Sequence, residues 1–121
     1  MSNHEDDDRG GAPAAALVVT VVDDRGVAER LARSAVESRL AACAQLEGPV
    51  LSTYRWKGQL CSDQEWRVVA KSTVHASADL VDAWAAAHPY EVPEILVQPV
   101  LGGHRPYLDW LATEVADRPG R

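Results

Sequence analysis

His88-Pro89-Tyr90-Glu91-Val92-Pro93-Glu94 sets an imidazole, a phenol and two carboxylates on one short stretch that also holds two prolines. Each proline locks its own φ and biases the residue before it toward extended backbone, so the polar groups sit on a stiffened segment. Loops that hold polar groups rigidly are common places for function. Imidazole with carboxylates suits Cu(II), Zn(II) or Ni(II), whereas thiolate favours Cu(I). The chain has two thiols, Cys43 and Cys61. No paired CxxC or HExxH motif is present, so a metal site must be assembled in space, for instance between subunits.

Each residue also has a plain structural reading. Cys43 follows a small-residue run at the end of a helical stretch, where a buried thiol acts as a small hydrophobe. Cys61 falls among polar residues of a turn and reads as an exposed thiol. His88 follows a helix, where an imidazolium meets the negative end of the helix dipole. Glu91 and Glu94 have Arg55, Arg67 and Lys71 as possible ion-pair partners, and His104 sits in a Gly-rich connection. Cys43, His88 and Glu91 are the types of a nucleophile, base and orienter. Without a nucleophile elbow or phosphate-binding glycine loop, the expectation is a protein with no catalytic residues.

Composition narrows the partners. The chain has 121 residues, 46% hydrophobic and 25% charged, with a formal net charge of -6. That size and balance describe one soluble domain with a real core. A net negative charge opposes nucleic acid or an anionic membrane as main partner. No apolar run reaches the roughly 20 residues of a membrane helix. The acidic N-terminus lacks the apolar core of a secretory signal, and two cysteines make no disulfide framework, so the expected location is the cytoplasm.

Patterning then places these groups on elements. Residues 1–13 carry Glu5, Asp6, Asp7 and Asp8 with almost no apolar side chains, which reads as a disordered acidic tail. Residues 14–116 form the domain, and 117–121 a C-terminal tail. Ala14 to Val22 is an apolar run suited to a buried strand. Asp23-Asp24 offers an N-cap to a helix with Val27, Ala28, Leu31, Ala32, Ala35, Val36 and Leu40 on one side. Val50 to Lys57 alternates as a strand, Gly58 to Gln64 reads as a hairpin connection, and Glu65 to Ser72 returns. A helix from about Ser77 to Ala87 follows, with Ser77 as its cap. Then come a strand at Ile95 to Val100, an edge because of its flanking prolines, and a helix from about Pro106 to Val115 burying Leu108, Leu111 and Trp110.

The order β-α-β-β-α-β with an added helix is the ferredoxin-like split βαβ arrangement, an α+β fold with an antiparallel sheet and two helices on one face. Tyr54, Trp56 and Trp66 then lie on or near a bare sheet face. Large exposed aromatics point to an oligomer; packing under the terminal helix is the alternative.

Ala41-Ala42-Cys43, Tyr54-Arg55-Trp56-Lys57-Gly58, Lys71-Ser72-Thr73, His88 to Glu94 and Tyr107-Leu108-Asp109-Trp110 occur in the order seen in the CutA divalent-cation tolerance family, which the chain resembles from about Leu17 to Leu111. The resemblance implies a homotrimer with sheets packed around a threefold axis and kinship in fold with the PII signalling proteins. It also implies a link to copper or another divalent cation, a non-enzymatic role without organic cofactor, and a cytoplasmic site. Cys43 and His88 match positions discussed as copper ligands in bacterial relatives. Val19 and Ala83 stand where some relatives carry further cysteines, so the thiolate cluster that suits Cu(I) is incomplete. The expected metal ligands are Cys43, His88, Glu91 and Glu94. Tyr54, Arg55, Trp56, Lys71, Tyr90 and Trp110 are expected at a ligand cleft or subunit interface. The alternative is a PII-like sensor taking a small anion or nucleotide between subunits, with Arg55, Lys57, Lys71 and Arg105 as its charges; it rests on fold analogy.

Overall fold

The structure is a computed structural model that describes residues 14–116; both tails inferred above lie outside the described residues. In chain order the elements are β1 (Ala15–Val22), α1 (Arg25–Glu37), β2 (Cys43–Trp56), β3 (Gln59–Thr73), α2 (Val74–Ala87), β4 (Ile95–Pro99) and α3 (Arg105–Glu114). The strands form one antiparallel sheet in the order β2-β3-β1-β4, the ferredoxin-like arrangement with β4 at an edge.

Strand alternation gives the sheet two unlike faces. Val18 and Val22 of β1 and Val68 and Ala70 of β3 face the helices and are buried against Leu31, Leu80 and Trp84. Trp84 is the largest buried side chain, and its indole N–H donates to the Leu31 carbonyl at 3.0 Å, tying α2 to α1. The other face carries Val19, Val69 and Lys71. There α3 covers only one end, setting Leu111 and Val115 against Ala15 and Ala76.

Several boundaries differ from the sequence expectation. Helix α1 is capped by Asp24, whose Oδ1 accepts from Val27 N at 3.0 Å, but it stops at Glu37, and Val36 is exposed. Arg39 then takes φ 64, and its guanidinium donates to the carbonyls of Thr113 and Glu114 at 3.1 and 3.0 Å, capping α3 with a cation. Helix α2 starts three residues early because Thr73 is the cap: its Oγ1 accepts from Ala76 N at 3.1 Å, while Ser77 donates to the Val74 carbonyl within the helix. Leu108 and Leu111 of α3 pack as expected, but Trp110 stays exposed.

The largest difference is the hairpin. Lys57 and Gly58 have φ 52 and 78, so the turn needs only two residues, and Trp56 pairs with Gln59. The polar run to Gln64 is strand rather than connection. At its other end β2 begins at Cys43, hidden in the sequence by the register shift between Glu47 and Val50. Gly48 sits in that shift at φ 144, and a Cβ there would lie 3.0 Å from the Trp66 ring. As a result the ribbon of Val50–Trp56 with Gln59–Glu65 runs past β1, whose last paired residue is Val22 opposite Trp66.

Candidate cation groove

Where the ribbon leaves the sheet, it faces the His88–Glu94 loop across a groove of about 750 Å³. Asp23, Asp63, Glu65, Glu91 and Glu94 line it together with the rings of Tyr54, Trp56 and Tyr90, and no Lys or Arg is among the lining residues. The two-residue turn sets this constellation. It pairs Ser52 with Asp63 and Tyr54 with Cys61, so one face of the ribbon carries Tyr54, Trp56, Asp63 and Glu65 together.

Two phenols are tied to two of these carboxylates. Tyr90 donates to Glu65 Oε2 at 2.7 Å, and Glu65 is a buried carboxylate. Burial, then this hydrogen bond and the charge of Glu65, push the Tyr90 phenol far above its ordinary range. Tyr54 donates to Asp63 Oδ2. That bond first, then desolvation and the charge of Asp63, push the Tyr54 phenol up to about 12. Both phenols therefore stay protonated near neutrality and serve as donors to the carboxylates.

His88 does not cap α2 as a cation. Its backbone is extended, and the ring crosses to β1, only 9% exposed. Tyr90 N–H donates to Nδ1 at 3.2 Å, so that nitrogen presents its lone pair to the backbone. The Thr20 hydroxyl donates to the Glu94 carbonyl at 2.7 Å, which leaves it an acceptor for Nε2–H. Nε2 lies 3.1 Å from Thr20 Oγ1 and 3.0 Å from the Val21 carbonyl. With both nitrogens engaged, the ring has no free lone pair for a metal. His88 is the strut that holds the loop and, through Tyr90, the groove wall.

Cys43 lies elsewhere. It pairs with Lys71 at the start of β2, three positions before Leu46, which packs on the helix side. The odd offset puts Cys43 on the opposite sheet face from Thr20 and hence from His88. Of the expected metal set, Glu91 and Glu94 share the groove, while Cys43 and His88 are not brought together in one chain. Nor do any three His, Cys, Asp or Glu side chains among the described residues converge closely enough to hold a metal ion.

The other candidates divide by face. Tyr54, Trp56 and Tyr90 line the groove, and Arg55 alternates to the reverse side of the ribbon. Within one chain, among the described residues, Glu91 and Glu94 make no ion pair with Arg55, Arg67 or Lys71; the expected pairs between subunits are a separate matter. Arg67 bridges Glu47 at 3.1 Å, and the Lys71 ammonium stands 5.8 Å from the Tyr107 ring, beside Trp110. Trp66 packs against the helix-side core with the Arg25 guanidinium 5.3 Å from its ring, so it does not share a bare face with Tyr54 and Trp56. Asp23, Asp63 and Glu65 escaped the sequence reading. Recognising Lys57-Gly58 as a two-residue turn would have aligned Asp63 with Ser52 and Glu65 with Val50 and revealed those two; Asp23 follows β1 and carries no such signal.

Residues 16–114, nearly all of the described chain, match the family described as CutA1 divalent ion tolerance protein. The chain belongs to the CutA1 family. A divalent-cation tolerance protein CutA from Thermus thermophilus is 43% identical over 95 residues, covering 78% of this chain and 92% of the relative. A solved structure of the divalent cation tolerance protein from Thermus thermophilus superposes with a TM-score of 0.82 at 40% identity, covering 84% of this chain and 99% of the other. CutA1 from Oryza sativa gives a TM-score of 0.85 at 29% identity, covering 88% and 98%. Both the ribbon and the His88–Glu94 loop lie inside the CutA1 match.

Proposed function

We propose that this CutA1 chain is a cytoplasmic, non-enzymatic homotrimer that binds divalent cations, copper first, and serves tolerance to them. One observation carries the cation reading: a groove with five carboxylates and three aromatic rings but no basic lining residue. Such a site attracts cations and repels phosphates and other anions, which opposes the PII-like alternative. Glu91 and Glu94 are the groups to hold the ion, with the remaining donors supplied between subunits, since no three such side chains converge among the described residues of one chain. Oxygen donors accept several divalent metals, and among the first-row ions Cu(II) is bound most tightly by a given donor set.

The trimer is supported by the ribbon, because two strands without a third are marginal in water. Free thiols at Cys43 and Cys61 fit a reducing compartment.

Titration calorimetry with Cu(II), Zn(II) and Cu(I) tests the site. Replacing Glu91 and Glu94 together by Gln is expected to weaken Cu(II) binding at least about tenfold, or about 1.4 kcal/mol. Cys43→Ala and His88→Ala, if folded, retain it. Equally weak binding by every protein, wild type included, defeats the cation reading. Light scattering reports subunit number, and cell fractionation the compartment.

A further inference from the structure

The groove has aromatic walls that a bare metal ion does not use. Tyr54 and Tyr90 spend their hydroxyls on Asp63 and Glu65, so what they offer a ligand is ring face. Trp56 is 42% exposed and adds an indole to the same lining. That indole already meets an alkylammonium, because the Lys57 ammonium stands 5.8 Å from its centroid. Asp23, Glu91 and Glu94 complete the walls, all three exposed. Among the described residues their carboxylates make no hydrogen bond or ion pair. Nor do they stand together: no three such groups converge closely enough to hold a metal ion.

Ring faces with separated, unpaired carboxylates are the complement of an organic ammonium ion. The negative face of a ring attracts the cation, and its flat apolar surface covers methylenes. Each carboxylate accepts N–H bonds from an ammonium, and such charge-assisted bonds are the strong ones. One ammonium cannot reach carboxylates that stand apart, but several on one flexible chain can. A groove of about 750 Å³ has the volume of a small-molecule site. We propose that this groove binds linear aliphatic polyamines, their ammonium groups on Asp23, Glu91 and Glu94 and their methylenes along Tyr54, Trp56 and Tyr90. This rests on the cation-attracting groove described above, but not on a metal occupying it. A quaternary ammonium lacks the N–H donors that the carboxylates accept, and a monoamine serves only one of them.

Titration calorimetry at neutral pH on the full chain, with spermidine, n-butylamine, tetramethylammonium and a trilysine peptide, tests the assignment. Spermidine is expected to bind at least about tenfold tighter than the two monocations, since tethering makes each later ammonium contact intramolecular. Replacing Glu91 and Glu94 together by Gln should weaken spermidine at least about tenfold through lost charge-assisted bonds. In the wild type, magnetisation transfer by NMR from the Trp56 ring protons to the spermidine methylenes should place the chain on the indole. Spermidine no tighter than n-butylamine, undiminished binding by the double variant, or no transfer from the ring overturns the polyamine site. A trilysine peptide that outbinds spermidine overturns the small-molecule assignment in favour of basic protein segments. Separate titrations keep the two ligands apart. Cu(II) binding without spermidine binding overturns this proposal alone, and spermidine binding without Cu(II) binding supports it while removing the metal.

Discussion

The hydroxyl of Tyr90 reaches Glu65 Oε2 at 2.7 Å, and this bond joins the His88–Glu94 loop to the base of the β2–β3 ribbon. It is the point where the two walls of the groove are fastened. Tyr90→Phe keeps the ring but strands a buried carboxylate. The expected loss is about 1–3 kcal/mol in urea unfolding, the cost of an unsatisfied buried group. Unchanged stability would show that Glu65 is solvated without Tyr90.

His88 holds the same wall from behind, with Nδ1 accepting from Tyr90 N–H and Nε2 donating to β1. His88→Ala is expected to lower stability by about 1–3 kcal/mol through these stranded partners. Calorimetry on the folded variant should show Cu(II) affinity within about twofold of wild type, a difference of about 0.4 kcal/mol. A loss of affinity with full stability would reverse the assignment and make His88 a ligand.

The two tied phenols predict an alkaline limit. Tyr54 has its phenol raised from 10.0 to about 12 by Asp63, and Tyr90 is raised further. A folded-state value above the unfolded one favours the protonated folded form. This stabilisation is complete below about pH 10 and disappears as pH rises through the folded-state values. Unfolding free energy should fall above pH 10, and Tyr54→Phe with Tyr90→Phe should flatten that decline. Tyrosinate absorbance during the titration gives the matching spectroscopic check.

Gly48 tests the bulge that launches the ribbon. At φ 144 it adopts backbone open almost only to glycine, and an added Cβ meets Trp66 at 3.0 Å and the Glu65 carbonyl at 3.2 Å. Gly48→Ala should cost about 1–3 kcal/mol in a thermal or urea transition. A neutral result would mean that the register shift relaxes freely.

Trp84 anchors the helix-side core, fully buried and bonded to the Leu31 carbonyl. Trp84→Ala is expected to remove about 3–5 kcal/mol. That is a large share of a domain's stability, so the variant should unfold well below wild type by calorimetry or circular dichroism.

The amino-acid sequence by itself determined the order of elements, the helix-facing core and the family. Those depend on local periodicity: apolar β1, the Ala28–Leu31–Ala35 stripe and Trp84 all sit where their spacing places them. It also marked Glu91, Glu94, Tyr54, Trp56 and Tyr90, because side chains concentrated on one stiff loop and one hairpin are visible in one dimension. Tertiary structure alone decided which of them meet. A one-residue change of parity moves a side chain to the opposite face of a sheet. That parity separates Cys43 from His88, removes Trp66 from the bare face and sends Arg55 away from Tyr54. The tight Lys57-Gly58 turn and the shift at Gly48 set the register, and with it the arrival of Asp63 and Glu65 beside the loop. Spacing along the chain names the donors; strand register decides which of them share a groove.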